Sequence, residues 1–199
     1  TVELTAVKPS KKQWENYLLG VVHEIQELGC KLNGFDCELE SNLPIGSGIS
    51  SSAALECGLA SGLNALFDLG LKKMQIVALS QRAEHNFVGT KCGIMDQFAS
   101  VMSKEGTVTL LDCRSLEYKY IPFELADTRI VLMNTNVSHN LASGEYNIRK
   151  GQCETGVAII KKRFPDVSSL TDVALDMLET CTADLDPVVY DRCLYVISE

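Results

Sequence analysis

LPIGSGISSSAALE, residues 43–56, joins a segment with the alternation of a strand to one with the period of a helix. Upstream, Phe35, Cys37 and Leu39 alternate with Asp36, Glu38 and Glu40, as in a half-exposed strand. Downstream, the apolar residues from Ala53 to about Phe67 recur at helical spacing. A loop in that position can turn backbone N–H groups toward an anion. Gly46 and Gly48 permit close approach, Ser50, Ser51 and Ser52 add hydroxyls, and the following helix directs the positive end of its dipole at the same point. A Walker loop would end in G-K-[ST], but no lysine occurs between Leu43 and Asp68. A dinucleotide fingerprint would need a third glycine where Ser51 stands, after a strand apolar throughout. On the loop alone, a serine-capped strand-to-helix turn accounts for the residues as well as phosphate binding does.

Outward from the loop, the chain alternates helices and strands. Ser10 with Gln13 forms a capping-box pattern ahead of a helix through Trp14, Leu18, Val21, Val22, Ile25 and Leu28, ending at Gly29. Met74, Val77, Ala78 and Phe87 predict a second helix to Gly89, and a short one follows Gly93. Thr107–Asp112 and Arg129–Thr135 read as strands, the latter so apolar that a central place in a sheet is expected. A helix from about Ser143 stops before Pro165, and Ser169 with Asp172 and Asp186 before Pro187 open the last two. A lobe boundary is expected near Ala126–Arg129, dividing the chain into 1–127 and 128–199.

The 199 residues, 46% of them hydrophobic, suffice for one or two domains with a core. A net charge of -8 has the wrong sign for a phosphate-backbone binder, so nucleic acid is not expected as a partner. It does not exclude a nucleotide held by local N–H groups and a divalent cation. The eight cysteines form no C-x-x-C pair and read as buried thiols of a reducing compartment. No apolar run approaches the roughly 18 residues of a membrane span. No leader opens the chain, so a cytoplasmic protein without membrane association is expected.

Two acids lack local partners. Asp96 has Cys92, Gly93, Ala99 and Ser100 as helical neighbours, and Glu84 has Ser80, Gln81, Phe87 and Val88; none is a cation. A carboxylate among apolar residues calls for a partner from elsewhere, a substrate or a metal. Taken singly, each reads more readily as a surface acid or one bonded to a distant backbone group. His85 and His139 lack metal-ligand spacing, and Tyr146 at the start of a helix serves packing or a ligand.

LPIGSGISSSAALE (43–56), QRAEHNFVGTKCGIMDQFAS (81–100) and NTNVSHNLASGEYNIRKGQCE (134–154) together resemble the galactokinases of the GHMP kinase superfamily. The resemblance implies an α+β, two-lobed kinase fold with a first lobe like domain 2 of ribosomal protein S5, incomplete in this chain. It implies that Gly46, Ser47, Gly48, Ile49, Ser50, Ser51 and Ser52 cradle ATP phosphates, and that Ser52 and Glu84 attend Mg2+. It makes Asp96 the catalytic residue beside the anomeric hydroxyl of galactose, with Gly93 and Tyr146 also contacting the sugar. The expected ligands are galactose and ATP, with no obligate protein partner. The family's opening G-R-V-N-L-[IL]-G-E-H-x-D-Y segment and its late glycine-rich motif have no match here, and Leu194 and Tyr195 stand where relatives carry a basic residue and histidine. The chain is therefore expected to be a central piece, inactive by itself. A galactose sensor and an amino-sugar kinase on the same fold are the alternatives.

Overall fold

The computed structural model describes residues 1–44, 48–133 and 144–199. The chain forms two compact units, Thr1–Ala142 and Ser143–Glu199.

In the first unit, α1 (Glu15–Glu27), α2 (Ser51–Leu66) and α3 (Lys73–Ala83) pack around Val21, Val22, Ile25, Leu59, Ala60, Leu63, Ile76 and Leu79. Gly20 lets α1 and α3 approach closely: a Cβ there would lie 2.9 Å from the Cβ of Ala83 and 3.0 Å from its carbonyl oxygen. After α3 the helix widens into a π-helical turn, Glu84–Val88, closed by Gly89 at φ +85°. The turn is clamped to α1. Glu24 accepts from Arg82 Nε at 2.6 Å and from Asn86 Nδ2 at 2.7 Å, and the rings of His23 and Phe87 lie 5.0 Å apart. The short helix α4 (Met95–Met102) buries Phe98 and Met102 against Val77. The Sγ of Cys57 on α2 donates to the Gln97 carbonyl at 3.7 Å.

The strands β1 (Thr107–Leu111) and β2 (Tyr118–Pro122) form an antiparallel ribbon in which Thr109 faces Tyr120. Tyr120 Oη donates to the Met102 carbonyl at 2.6 Å, and Tyr118 meets Phe98 edge-on with ring centroids 5.2 Å apart, tying the ribbon to α4.

In the second unit, α5 (Glu145–Lys161), α6 (Leu175–Thr180) and α7 (Pro187–Ser198) enclose Ile160, Val167, Leu178, Cys181, Val189 and Cys193. Any side chain at Gly156 would overlap the sulfur of Cys193, so glycine is what lets α7 lie against α5 there. Asp186 caps α7 by accepting from Val188 N at 2.9 Å.

Most helix boundaries follow the sequence, but several expectations need correction. Ser10 does not cap α1; its hydroxyl bonds Glu15 at 2.6 Å, and the helix begins after an uncapped Trp14. Ser169 and Asp172 close a single 3₁₀ turn, and the helix proper starts later at Leu175. The alternating segment 35–40 joins no ladder, and neither do residues 129–133 of the expected central strand. Its remaining residues, Asn134 and Thr135, lie outside the described residues. The reason is physical: apolar character calls for burial, but a strand also needs a neighbour for its N–H and C=O groups. Among the described residues the only ladder is β1–β2, and Ile130, Val131, Leu132 and Met133 are exposed.

Candidate functional site

The end of the loop before α2 turns through two left-handed residues. Gly48 has φ +78°, and Ser50, a residue with a Cβ, is also left-handed at φ +58°. Such a position costs of order 1–3 kcal/mol and persists where the surroundings impose it. The first bond of the helix runs from Ala54 N to the Ser50 carbonyl at 3.0 Å. The N–H groups of Ser51, Ser52 and Ala53 thus have no partner within the helix, and no side chain caps it. Three donors and the positive helix end face the loop. Gly46 and Ser47 lie outside the described residues, while Gly48, Ile49, Ser50, Ser51 and Ser52 lie within them.

Glu84, at the start of the π turn, is almost wholly buried at 2% exposure. Burial raises its carboxyl pKa above the ordinary range, while hydrogen bonds from the Cys92 thiol and the Ser52 hydroxyl oppose the rise and the charge of Asp96 adds to it. Ser52, Glu84 and Asp96, drawn from two separate motifs, are thus near neighbours. The Glu84 Oε2 accepts from Gln97 Nε2 at 2.9 Å and from Cys92 Sγ at 3.6 Å. Burial, then the charge of Glu84, pushes the Cys92 thiol up to about 12, so it keeps its proton and can donate.

Asp96 lies in the first turn of α4, where the helix dipole favours a negative charge, and it is half-buried. The 89–94 loop that leads to it is pinned at both ends. Gly89 N and Thr90 N both bond the Glu84 carbonyl, at 2.9 and 3.2 Å. The Cys92 carbonyl accepts from Gln81 Nε2 at 3.2 Å and from His85 Nε2 at 2.8 Å. His85 is therefore a structural donor. Gly93 is exposed beside Asp96. Tyr146 belongs to the second unit, exposed in the first turn of α5; His139 lies outside the described residues.

Four residues of this cluster escape a reading of motifs. Glu56 is fully buried beside Gln97 and Glu84. Burial first and the neighbouring Glu84 second push its pKa up to about 10. Gln97 and Cys92 hold Glu84, and Tyr17 on α1 is close enough for Glu84 and Glu56, after burial, to raise its phenol. One signal existed: Glu56 falls three residues after Ala53 and four before Ala60, on the buried stripe of α2.

Ser52 and Glu84 offer two hard oxygen donors, the set that suits Mg2+ when phosphates and water complete the shell. Among the described residues no group of three or more His, Cys, Asp or Glu side chains forms a metal site by itself.

Residues 16–104 match the family described as GHMP kinases N terminal domain. The chain is 41% identical to a galactokinase of Clostridium tetani over its full length, covering 51% of that protein. It is 42% identical over 81% of its length to one of Thermosipho africanus, of which it covers 46%. The chain thus spans about half the length of these curated relatives. A crystal structure of Lactococcus lactis galactokinase complexed with galactose superposes with a TM-score of 0.86 at 28% identity, covering all of this chain and 52% of that one.

Proposed function

We propose that this chain, whose residues 16–104 match the GHMP kinases N terminal domain, is part of a galactokinase, which transfers the γ-phosphate of ATP to the C1 hydroxyl of galactose. The supporting observation is the convergence of Ser52, Glu84 and Asp96 in one unit beside the left-handed loop. The N–H groups at the start of α2 bind the phosphates, with Gly46 and Ser47 completing the cradle. Ser52 and Glu84 would hold magnesium, which would supply positive charge to neutralise the phosphate oxygens. Asp96 orients the sugar's C1 hydroxyl and accepts its proton. Gly93, without a side chain, leaves room for the sugar.

Phosphoryl transfer asks the protein mainly for alignment and charge stabilisation. A positioned base typically contributes roughly 10²- to 10⁴-fold. Asp96→Asn in the complete protein is expected to abolish detectable galactose-dependent ADP release while galactose still binds, as read by calorimetry. Near-normal turnover by this variant would exclude the role. Galactose binding by the wild type without ADP release points instead to a sensor, and a panel of amino sugars separates the related kinases. The 199 residues alone are expected to be inactive, because the arginine-bearing G-R-V-N-L segment does not occur in them.

A further inference from the structure

We propose that Gln97 is a positioning residue for the divalent cation: its side-chain amide holds one oxygen of the Glu84 carboxylate and so fixes the group that, with Ser52, would take the metal. This rests on the functional reading above, which assigns Ser52 and Glu84 to the cation and a nucleotide as its partner.

Gln97 is fully buried, and its Nε2 donates to Glu84 Oε2 at 2.9 Å. The same nitrogen reaches Cys92 Sγ at 3.6 Å, and that sulfur reaches the same Oε2, also at 3.6 Å. Both donors converge on one oxygen of Glu84. A carboxylate restrained at a single oxygen presents the other in a fixed direction, as an outer-shell partner of a metal ligand does. Its amide lies between two acids: Nε2 donates to Glu84, and Glu56, which keeps its proton, neighbours the same side chain. Gln97 also follows Asp96 directly on α4, so one rigid helix sets both the base and the hold on the cation's ligand.

The test is Gln97→Met in the complete protein, with Mn2+ as the probe. Mn2+ affinity in the presence of ATP is read by electron paramagnetic resonance of the free ion. The expected result is binding roughly tenfold weaker, with metal-free ATP affinity, galactose affinity and melting temperature close to wild type. In a Glu84→Gln background the same substitution is expected to add nothing, because Gln97 acts through Glu84. Mn2+ affinity within twofold of wild type overturns the proposal, as does an equal loss in both backgrounds. If Gln97→Met does not fold, Gln97→Glu, which keeps the shape and replaces donor by acceptor, is read the same way. Wild-type protein that binds Mn2+ and ATP but does not phosphorylate galactose refutes the galactokinase reading and leaves this one standing; wild type that binds no Mn2+ with ATP refutes Gln97's role.

Discussion

Glu56 places an acid on the floor of the cluster, fully buried and with its pKa pushed up to about 10. An unfolded chain releases that proton near 4.5, the ordinary value, whereas the folded one keeps it. Between these limits the folded state binds more protons than the unfolded one, so stability falls as pH rises, by at most about 1.4 kcal/mol per pH unit. Below the lower limit both states are protonated and the dependence vanishes. Glu56→Gln is expected to flatten urea-unfolding stability between pH 5 and 9 and to exceed the wild type most at the alkaline end. Parallel curves for the two proteins would show that Glu56 is not the source. The sequence made the two unpartnered acids Glu84 and Asp96 legible, because a helix period exposes the lack of a local cation. Glu56 was harder to read: a carboxyl on an apolar stripe is noticed only once burial is known, and burial depends on what α1 and α4 bring against α2.

Helices were the elements best read from the chain, since their hydrogen bonds are local and their ends are marked by Gly29, Gly89 and Asp186. Strands were read worse. Thr107–Leu111 pairs as expected, but its partner Tyr118–Pro122 escaped a reading by pattern, with all five residues exposed and no clear alternation. A ladder depends on residues distant in sequence, and alternation records only one face. Between α1 and α3, a close approach occurs at Gly20. Gly20→Ala would normally gain about 0.5–1 kcal/mol in a helix interior. Here its Cβ would lie 2.9 Å from the Cβ of Ala83, and overpacking of this kind costs typically about 1–3 kcal/mol. A net loss of stability is therefore expected in denaturant unfolding; a gain would show that α1 and α3 can separate without penalty.

Over the whole molecule, apolar surface is distributed unevenly. Val108, Leu110, Ile121 and Phe123 of the ribbon region are exposed, and Ile130, Val131, Leu132 and Met133 reach 69–84% exposure. Contiguous surface of this kind marks an interaction site or an aggregation liability. The 199-residue chain, which spans about half the length of its curated relatives, is expected to bind a hydrophobic dye strongly and to aggregate with concentration. Val131→Lys with Met133→Lys should reduce both; unchanged dye fluorescence would place the responsible surface elsewhere.

The π turn at Glu84–Val88 amounts to one residue more than a regular helix would use over the same path. A three-base deletion that removed Asn86 would be repaired by the backbone itself, since the turn can tighten into ordinary α-helix. Residues beyond it would keep their phase, but the amide of Asn86 that bonds Glu24 would be gone, and with it part of the clamp on α1. Such an allele would keep its helical circular dichroism, yet the turn that carries Glu84 would be held less firmly. A variant screen scored on expression would pass it as benign; one scored on Mn2+ binding would reject it.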